Sequence, residues 1–145
     1  MNWHEIFEYK DGELFWKVRT SNRVNVGDVA GSHDPLGYVR VNYKNIMYQA
    51  HRIIWEMHND DIDDGLQIDH IDLNPSNNRI ENLRTCTHQQ NNWNKNSKGF
   101  CIKNGKYVSR ITISGKEIYL GRFDCMLDAR AAYLSARKKY FGEFA

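Results

Sequence analysis

Ile68-Asp69-His70-Ile71-Asp72, followed closely by Asn82-Leu83-Arg84 and Gln90-Asn91, is the stretch on which the fold turns. An Asp-His pair flanked by isoleucines reads as a strand carrying two adjacent polar side chains. Leu73-Asn74-Pro75-Ser76-Asn77-Asn78 reads as a loop, because Asn, Pro and Ser all favour turning. Residues 83–87 can return as a second strand. Residues 87–94 have the composition of a short helix with Thr87 as its N-cap. The predicted order is strand, loop, strand, helix, with polar side chains converging from three places.

In this order the chain resembles the HNH nucleases, whose ββα-metal fold has the same layout. The resemblance is carried by Asp69-His70, by Asn82 twelve positions past His70 and by Asn91 twenty-one past it, within Asn77-Asn78-Arg79-Ile80-Glu81-Asn82-Leu83-Arg84. The residue types suit phosphodiester hydrolysis. Imidazole titrates near neutral pH and can take a proton from water, and a carboxylate is the hard oxygen donor that Mg²⁺ prefers. The resemblance implies that His70 is the general base and that Asp69 binds one divalent metal ion, Mg²⁺ or Mn²⁺. A regular pleat points neighbouring side chains apart, so it also implies a locally distorted strand. Asn91 would add a second oxygen ligand from the helix. Asn82 would hydrogen-bond the loop backbone and hold the base in place, its amide both donating and accepting. The metal would serve the phosphate as Lewis acid and template.

The family's third letter stands for His, where this chain has Asn91, as in the Asn-bearing branch of phage homing endonucleases. His88, three residues earlier on the same helical face, is the rival ligand. A His ligand would widen the choice of ion to Zn²⁺ or Ni²⁺. Arg79 and Arg84 read either as phosphate contacts or as ordinary surface.

Upstream, Asp11-Gly12 between Phe7-Glu8-Tyr9 and Leu14-Phe15-Trp16 is a hairpin signal. Residues 24–30 read as a further short strand and residues 37–50 as another hairpin turning at Lys44-Asn45. Residues 50–58 form an amphipathic helix with Ile53, Ile54 and Met57 on one side. His51 on that helix reads as a buried or capping histidine, with a place facing the active site as the alternative. Asp60, Asp61, Asp63 and Asp64 lack the calcium-hand spacing and read as a solvated loop.

Composition sets the outer bounds. The 145 residues can hold one ordinary domain or two small ones. No apolar run approaches bilayer length and no signal-peptide layout is present. Cys86, Cys101 and Cys125 are too few and too scattered for a disulfide framework or a zinc site, and a reducing intracellular setting is expected. Residues 1–94 carry nine Lys/Arg against fourteen Asp/Glu, and residues 95–145 carry eleven against four. The second part is therefore a basic module suited to polyanions.

That module reads as three strands, residues 99–103, 106–114 and 116–123, turning at Asn104-Gly105 and Ser114-Gly115. A helix capped by Asp124 follows and runs to about residue 141. Its stripe is Ala129, Ala132, Tyr133, Ala136 and Tyr140. Gly105-Lys106-Tyr107, Tyr119-Leu120-Gly121-Arg122-Phe123-Asp124 and Ala132-Tyr133 resemble the plant ethylene-response-factor (APETALA-type) DNA-binding domain, which lays a three-stranded sheet in the major groove. Period-two alternation turns Tyr107, Ser109, Ile111 and Ile113 to the helix, and Val108, Arg110 and Thr112 outward. Lys103, Glu117 and Tyr119 lie on the matching outer face. Arg110 is the candidate guanine contact and Lys103, Lys106 and Arg122 are candidate phosphate contacts. The outer face of a packing module with no partner is the plain alternative.

The expectation is thus an α+β chain: a nuclease domain with a β-rich N-terminal extension at residues 1–94, then a DNA-binding sheet-plus-helix at 95–145. The combination is similar to phage-type HNH homing endonucleases, implying double-stranded DNA as partner, no membrane, a monomer or weak homodimer, and the cytoplasm of a bacterial host. A non-catalytic DNA-binding regulator that uses only the C-terminal sheet is the rival reading.

Overall fold

Positive φ at Asp11 and Gly12 (50° and 93°) turns the chain back on itself, closing a hairpin between β1 (Phe7–Lys10) and β2 (Glu13–Trp16). The computed structural model describes residues 1–95 and 97–145. The hairpin belongs to the first of two units, Met1–His88; the second is Gln89–Ala145. Asn96, in the Asn- and Lys-rich stretch 93–98 that reads as a linker, lies outside the described residues.

In the first unit a second sheet follows, with β3 (Ser32–His33), β4 (Val39–Tyr43) and β5 (Ile46–Gln49) side by side in that order. Lys44 and Asn45 both take positive φ, as a two-residue hairpin turn requires. Residues 24–30 do not form the expected strand. Asp28 Oδ2 accepts the Asn25 N–H at 2.8 Å and Gly27 N–H turns back to Trp16 O at 2.7 Å, so only Val29 bridges to Phe15. Local side-chain bonds of this kind divert the backbone from a ladder.

Helix α1 (Ala50–His58) starts immediately after β5 and buries Ile53, Ile54 and Met57 against Trp3, Phe7, Trp16 and Val41. Phe7 and Trp16 rings stand 4.7 Å apart, and the Trp3 indole donates to Glu56 Oε2 at 2.6 Å. Then β6 (Leu66–His70) pairs antiparallel with β7 (Leu83–Thr87), whose chain continues into α2 (His88–Trp93). Ile68 and Leu83 anchor this hairpin in the core.

The second unit holds β8 (Phe100–Lys103), β9 (Lys106–Ile113) and β10 (Lys116–Phe123), with β9 central, covered on one face by α3 (Met126–Phe141). Ser109 and Ile111 are buried on the helix-facing parity together with Ala129, Tyr133 and Ala136 of α3. Two details differ from expectation. Cys125, not Asp124, holds the N-cap position and makes no side-chain cap bond, and the Asp124 carboxylate pairs with Lys106. Tyr140 is exposed, and Arg137 and Phe141 take the buried positions at that end of the helix. Trp93 stacks on Phe141 at 4.8 Å and its carbonyl accepts from Arg137 Nη2 at 2.8 Å, which ties the end of α2 to α3. Among the described residues no helix is long and apolar enough to cross a membrane.

Gly99 has φ +74°, and a Cβ there would stand 1.9 Å from Cγ of Tyr133. Gly115 has a similar φ, +77°, with open space around it. Gly99→Ala should cost the second unit at least about 2 kcal/mol, through backbone strain plus overpacking. Gly115→Ala should cost only about 1 kcal/mol. Thermal unfolding of the two variants checks this, and equal losses would show that the Tyr133 contact is not what requires glycine.

Candidate active site

His70 ends β6, paired with Leu83, and Asp69 pairs with Arg84. The ladder runs through this point without a register shift, so the expected local distortion of the strand is absent. Both faces of β6 are covered instead, leaving Asp69 and His70 only 5% and 6% exposed. On one side Arg84 holds Asp69 through Nε and Nη2, at 3.0 and 2.9 Å from Oδ2. Arg84 is thus the counterion of a buried carboxylate rather than surface decoration, which a charge taken out of water requires. Arg79 is exposed, 3.9 Å from Glu81.

The loop between the two strands is built on Asn82 and Asp72. Asn82 Nδ2 donates to Asp72 Oδ1 (2.9 Å) and to the Asn77 carbonyl (2.8 Å), while Asn82 Oδ1 accepts the Asp72 N–H (3.1 Å). The Asp72 carboxylate also accepts from Asn74 N–H and Asn77 Nδ2, at 2.8 and 2.7 Å. Partial burial pushes the Asp72 carboxyl up, but the bonds from Asn77, Asn74 and Asn82 and the nearby His70 outweigh it and hold it below its usual range.

This bracing delivers Asn78, a residue the sequence reading treated only as a turn former. It is 2% exposed, and its Oδ1 lies 2.8 Å from His70 Nε2. An amide oxygen only accepts, so Nε2 carries a hydrogen in this contact.

His51, from the first turn of α1, is 5% exposed, and its ring meets that of His70 edge to face at 5.0 Å. Tyr38 completes the cluster, 5.9 Å from His51 and 6.0 Å from His70. His51 is therefore buried and also faces His70, so the two alternatives read from the sequence are one arrangement. Burial, aided by the charges of His70 and Arg52, lowers its pKa from 6.5 to about 3. Cys86, buried on β7, is pushed up to about 11 by burial and the Asp69 charge and stays a thiol.

Among the described residues no group of three His, Cys, Asp or Glu side chains is arranged to hold a metal ion. Gln67 Nε2 lies 3.4 Å from His88 Nδ1. Asn91 sits half-buried on α2, in the second unit.

In the second unit Lys103, Lys106, Arg110, Thr112, Tyr119 and Arg122 share the sheet face opposite α3. Register places Arg110 against Tyr119, Thr112 against Glu117, Arg122 against Val108 and Lys103 against Lys106. Tyr119 and Arg122, three apart, share a face only because a bulge at Leu120 interrupts the alternation between Tyr119 and Gly121. Val108 has the outward parity but is buried, so it offers nothing at that surface. Arg110 pairs with Glu117 at 2.9 Å, while Tyr119 is 63% exposed.

Comparison with known proteins adds two findings. Residues 48–93 match the sequence model of the HNH endonuclease family. The chain is 32% identical to Protein 3.8 of Escherichia phage T7 over 120 residues, covering 74% of this chain and 98% of that protein. No solved structure matches.

His51 stays neutral in the folded protein down to about pH 3, whereas in the unfolded chain it protonates near 6.5. Protons therefore favour the unfolded state between those values, and acid lowers stability by up to about 1.4 kcal/mol per pH unit from this group. Urea unfolding of the wild type should weaken more steeply from pH 6.5 to 4 than that of His51→Phe. Parallel pH profiles would show that His51 protonates without penalty in the fold.

Proposed function

This chain belongs to the family of phage T7 Protein 3.8 and carries an HNH endonuclease domain at residues 48–93, and from that premise we propose that it is a metal-dependent endonuclease hydrolysing DNA phosphodiester bonds. The observation that carries the reading is His70, a buried imidazole at the end of β6 whose Nε2 is tied to Asn78. Asn78 orients the ring for taking a proton from water and keeps its hydrogen bond when the ring becomes an imidazolium. The adjacent Asp72 carboxylate, kept ionised by its hydrogen bonds, favours that charge. Asn82 acts through the loop, holding Asn77 and Asp72 so that Asn78 reaches the ring.

HNH nucleases generally depend on a divalent metal ion. The donor chemistry here fits a hard dication such as Mg²⁺ or Mn²⁺. Asp69 is a buried carboxylate whose charge Arg84 now balances, and a cation at Asp69 would take over that balance. The resemblance to HNH nucleases implies Asn91 as second ligand, with water and the phosphate supplying the remaining oxygens. When bound, the ion supplies Lewis-acid stabilisation of the phosphate and of the departing 3′ oxygen. The products are 5′-phosphate and 3′-hydroxyl ends. One such site cuts one strand, so a monomer nicks, and a double-strand break needs a weak homodimer or a second nick.

Residues 95–145 serve as an APETALA-like DNA-binding module, and residues 1–94 as the nuclease. Packing draws the line slightly earlier and groups α2 from Gln89 onward with the basic unit. The outer row Lys103, Lys106, Arg110, Thr112, Tyr119 and Arg122 supports this reading. Arg110 would exchange Glu117 for a guanine edge, an exchange made cheap by the exposure of the pair. The phage relative points to the cytoplasm of a bacterial host as the working environment.

A plasmid-nicking assay with Mg²⁺ or Mn²⁺ tests the reaction. His70→Ala should lower the rate roughly 100- to 10,000-fold, and EDTA should abolish cleavage. Cleavage that survives His70→Ala removes the mechanism; DNA binding with no cleavage under any metal leaves the regulator reading. Arg110→Ala should reduce discrimination between DNA sites by about 1–3 kcal/mol while binding to random duplex falls much less. Equal losses on all sequences would make Arg110 a phosphate contact.

A further inference from the structure

Helix α1 begins without a side-chain cap: Gln49 makes no capping bond and the first turn holds no acid. The first amides of a helix have no intrahelical acceptor and sit at the positive end of its dipole, where anions settle. His51 lies in that turn, against the His70 ring at 5.0 Å. Its Nδ1 is sealed from solvent with no hydrogen-bond partner among the described residues. A histidine placed only for packing normally satisfies such an atom. With nothing to receive a hydrogen at Nδ1, the neutral ring carries it on Nε2.

We propose that His51 is a catalytic residue of this site: its Nε2–H, together with the uncapped first turn of α1, receives a nonbridging oxygen of the scissile phosphate. The assignment rests on the nuclease reading above and adds to it a phosphate-binding element supplied by α1. Neutrality is part of the design. A second cation 5.0 Å from His70 would oppose the protonation that base catalysis demands, whereas a neutral donor stabilises charge gained by the phosphate without that conflict. The burial that keeps His51 uncharged above pH 4 serves this purpose. Arg52, exposed on the same turn, adds positive charge at the rim.

The test uses the full chain with His51→Phe, which fills the space without a donor, and His51→Gln, which restores an N–H. His51→Phe should retain its unfolding temperature and its affinity for duplex DNA while single-turnover cleavage falls roughly 100-fold. His51→Gln should recover at least about tenfold of that loss. Wild-type cleavage by His51→Phe, or a Gln variant no faster than Phe, overturns the proposal. A second arm needs neither variant nor turnover: ¹⁵N spectra of the wild type with duplex DNA in EDTA. The His51 Nε2 resonance should shift on binding, and an unmoved resonance overturns the proposal even if His51→Phe fails to fold. Absence of wild-type cleavage with every metal would sink the nuclease reading separately, leaving the spectral arm to judge His51.

Discussion

The site depends on one side-chain amide. Asn82 spans the mouth of the β6–β7 hairpin, donating to Asp72 and to the Asn77 carbonyl while accepting the Asp72 N–H, and its own carbonyl accepts the Ile71 N–H at 2.9 Å. A loop of this length would otherwise sample many conformations. Four bonds from one residue at the start of β7 convert it into an extension of the ladder. Asn78 can then hold the His70 ring at a fixed angle, and the orientation of that imidazole follows from the geometry of a loop.

The arrangement gives the two neighbours different surroundings. Asp69 forms a buried ion pair with Arg84, while the His70 ring packs with His51 and Tyr38 and meets Asn78. The ion pair gives a buried carboxylate its counterion, and burial keeps His51 uncharged beside His70.

Much of the scaffold was legible because it is local. Asp11-Gly12, Lys44-Asn45, Asn104-Gly105 and Ser114-Gly115 all turn where positive φ is tolerated, and the limits of α1 follow from its apolar spacing. Asp69, His70 and Asn82 stood out through the resemblance to HNH nucleases. What escaped was settled by contacts distant in sequence. Nothing in Asn77-Asn78 says which amide will reach a ring eight residues back, and nothing near Tyr38 announces two histidines. The mistaken strand at residues 24–30 lost to Asx-type bonds, and Asp124 pairs with Lys106, a partner eighteen residues away, and does not cap the helix. The bulge at Leu120 is likewise invisible to alternation, since it is alternation that it breaks.

The N-terminal hairpin, the part of the chain with the least sequence signal, touches the segment between β6 and β7 directly. Tyr9 Oη accepts the Ile80 N–H at 3.1 Å, and the turn at Gly12 comes so close to Arg79 that a methyl there would stand 2.9 Å from its nitrogen. The first residues therefore act as scaffolding behind the machinery rather than as an accessory. A minimal enzyme cannot be excised along residues 48–93 alone: the boundary of family likeness and the boundary of mechanical integrity are different lines on this molecule.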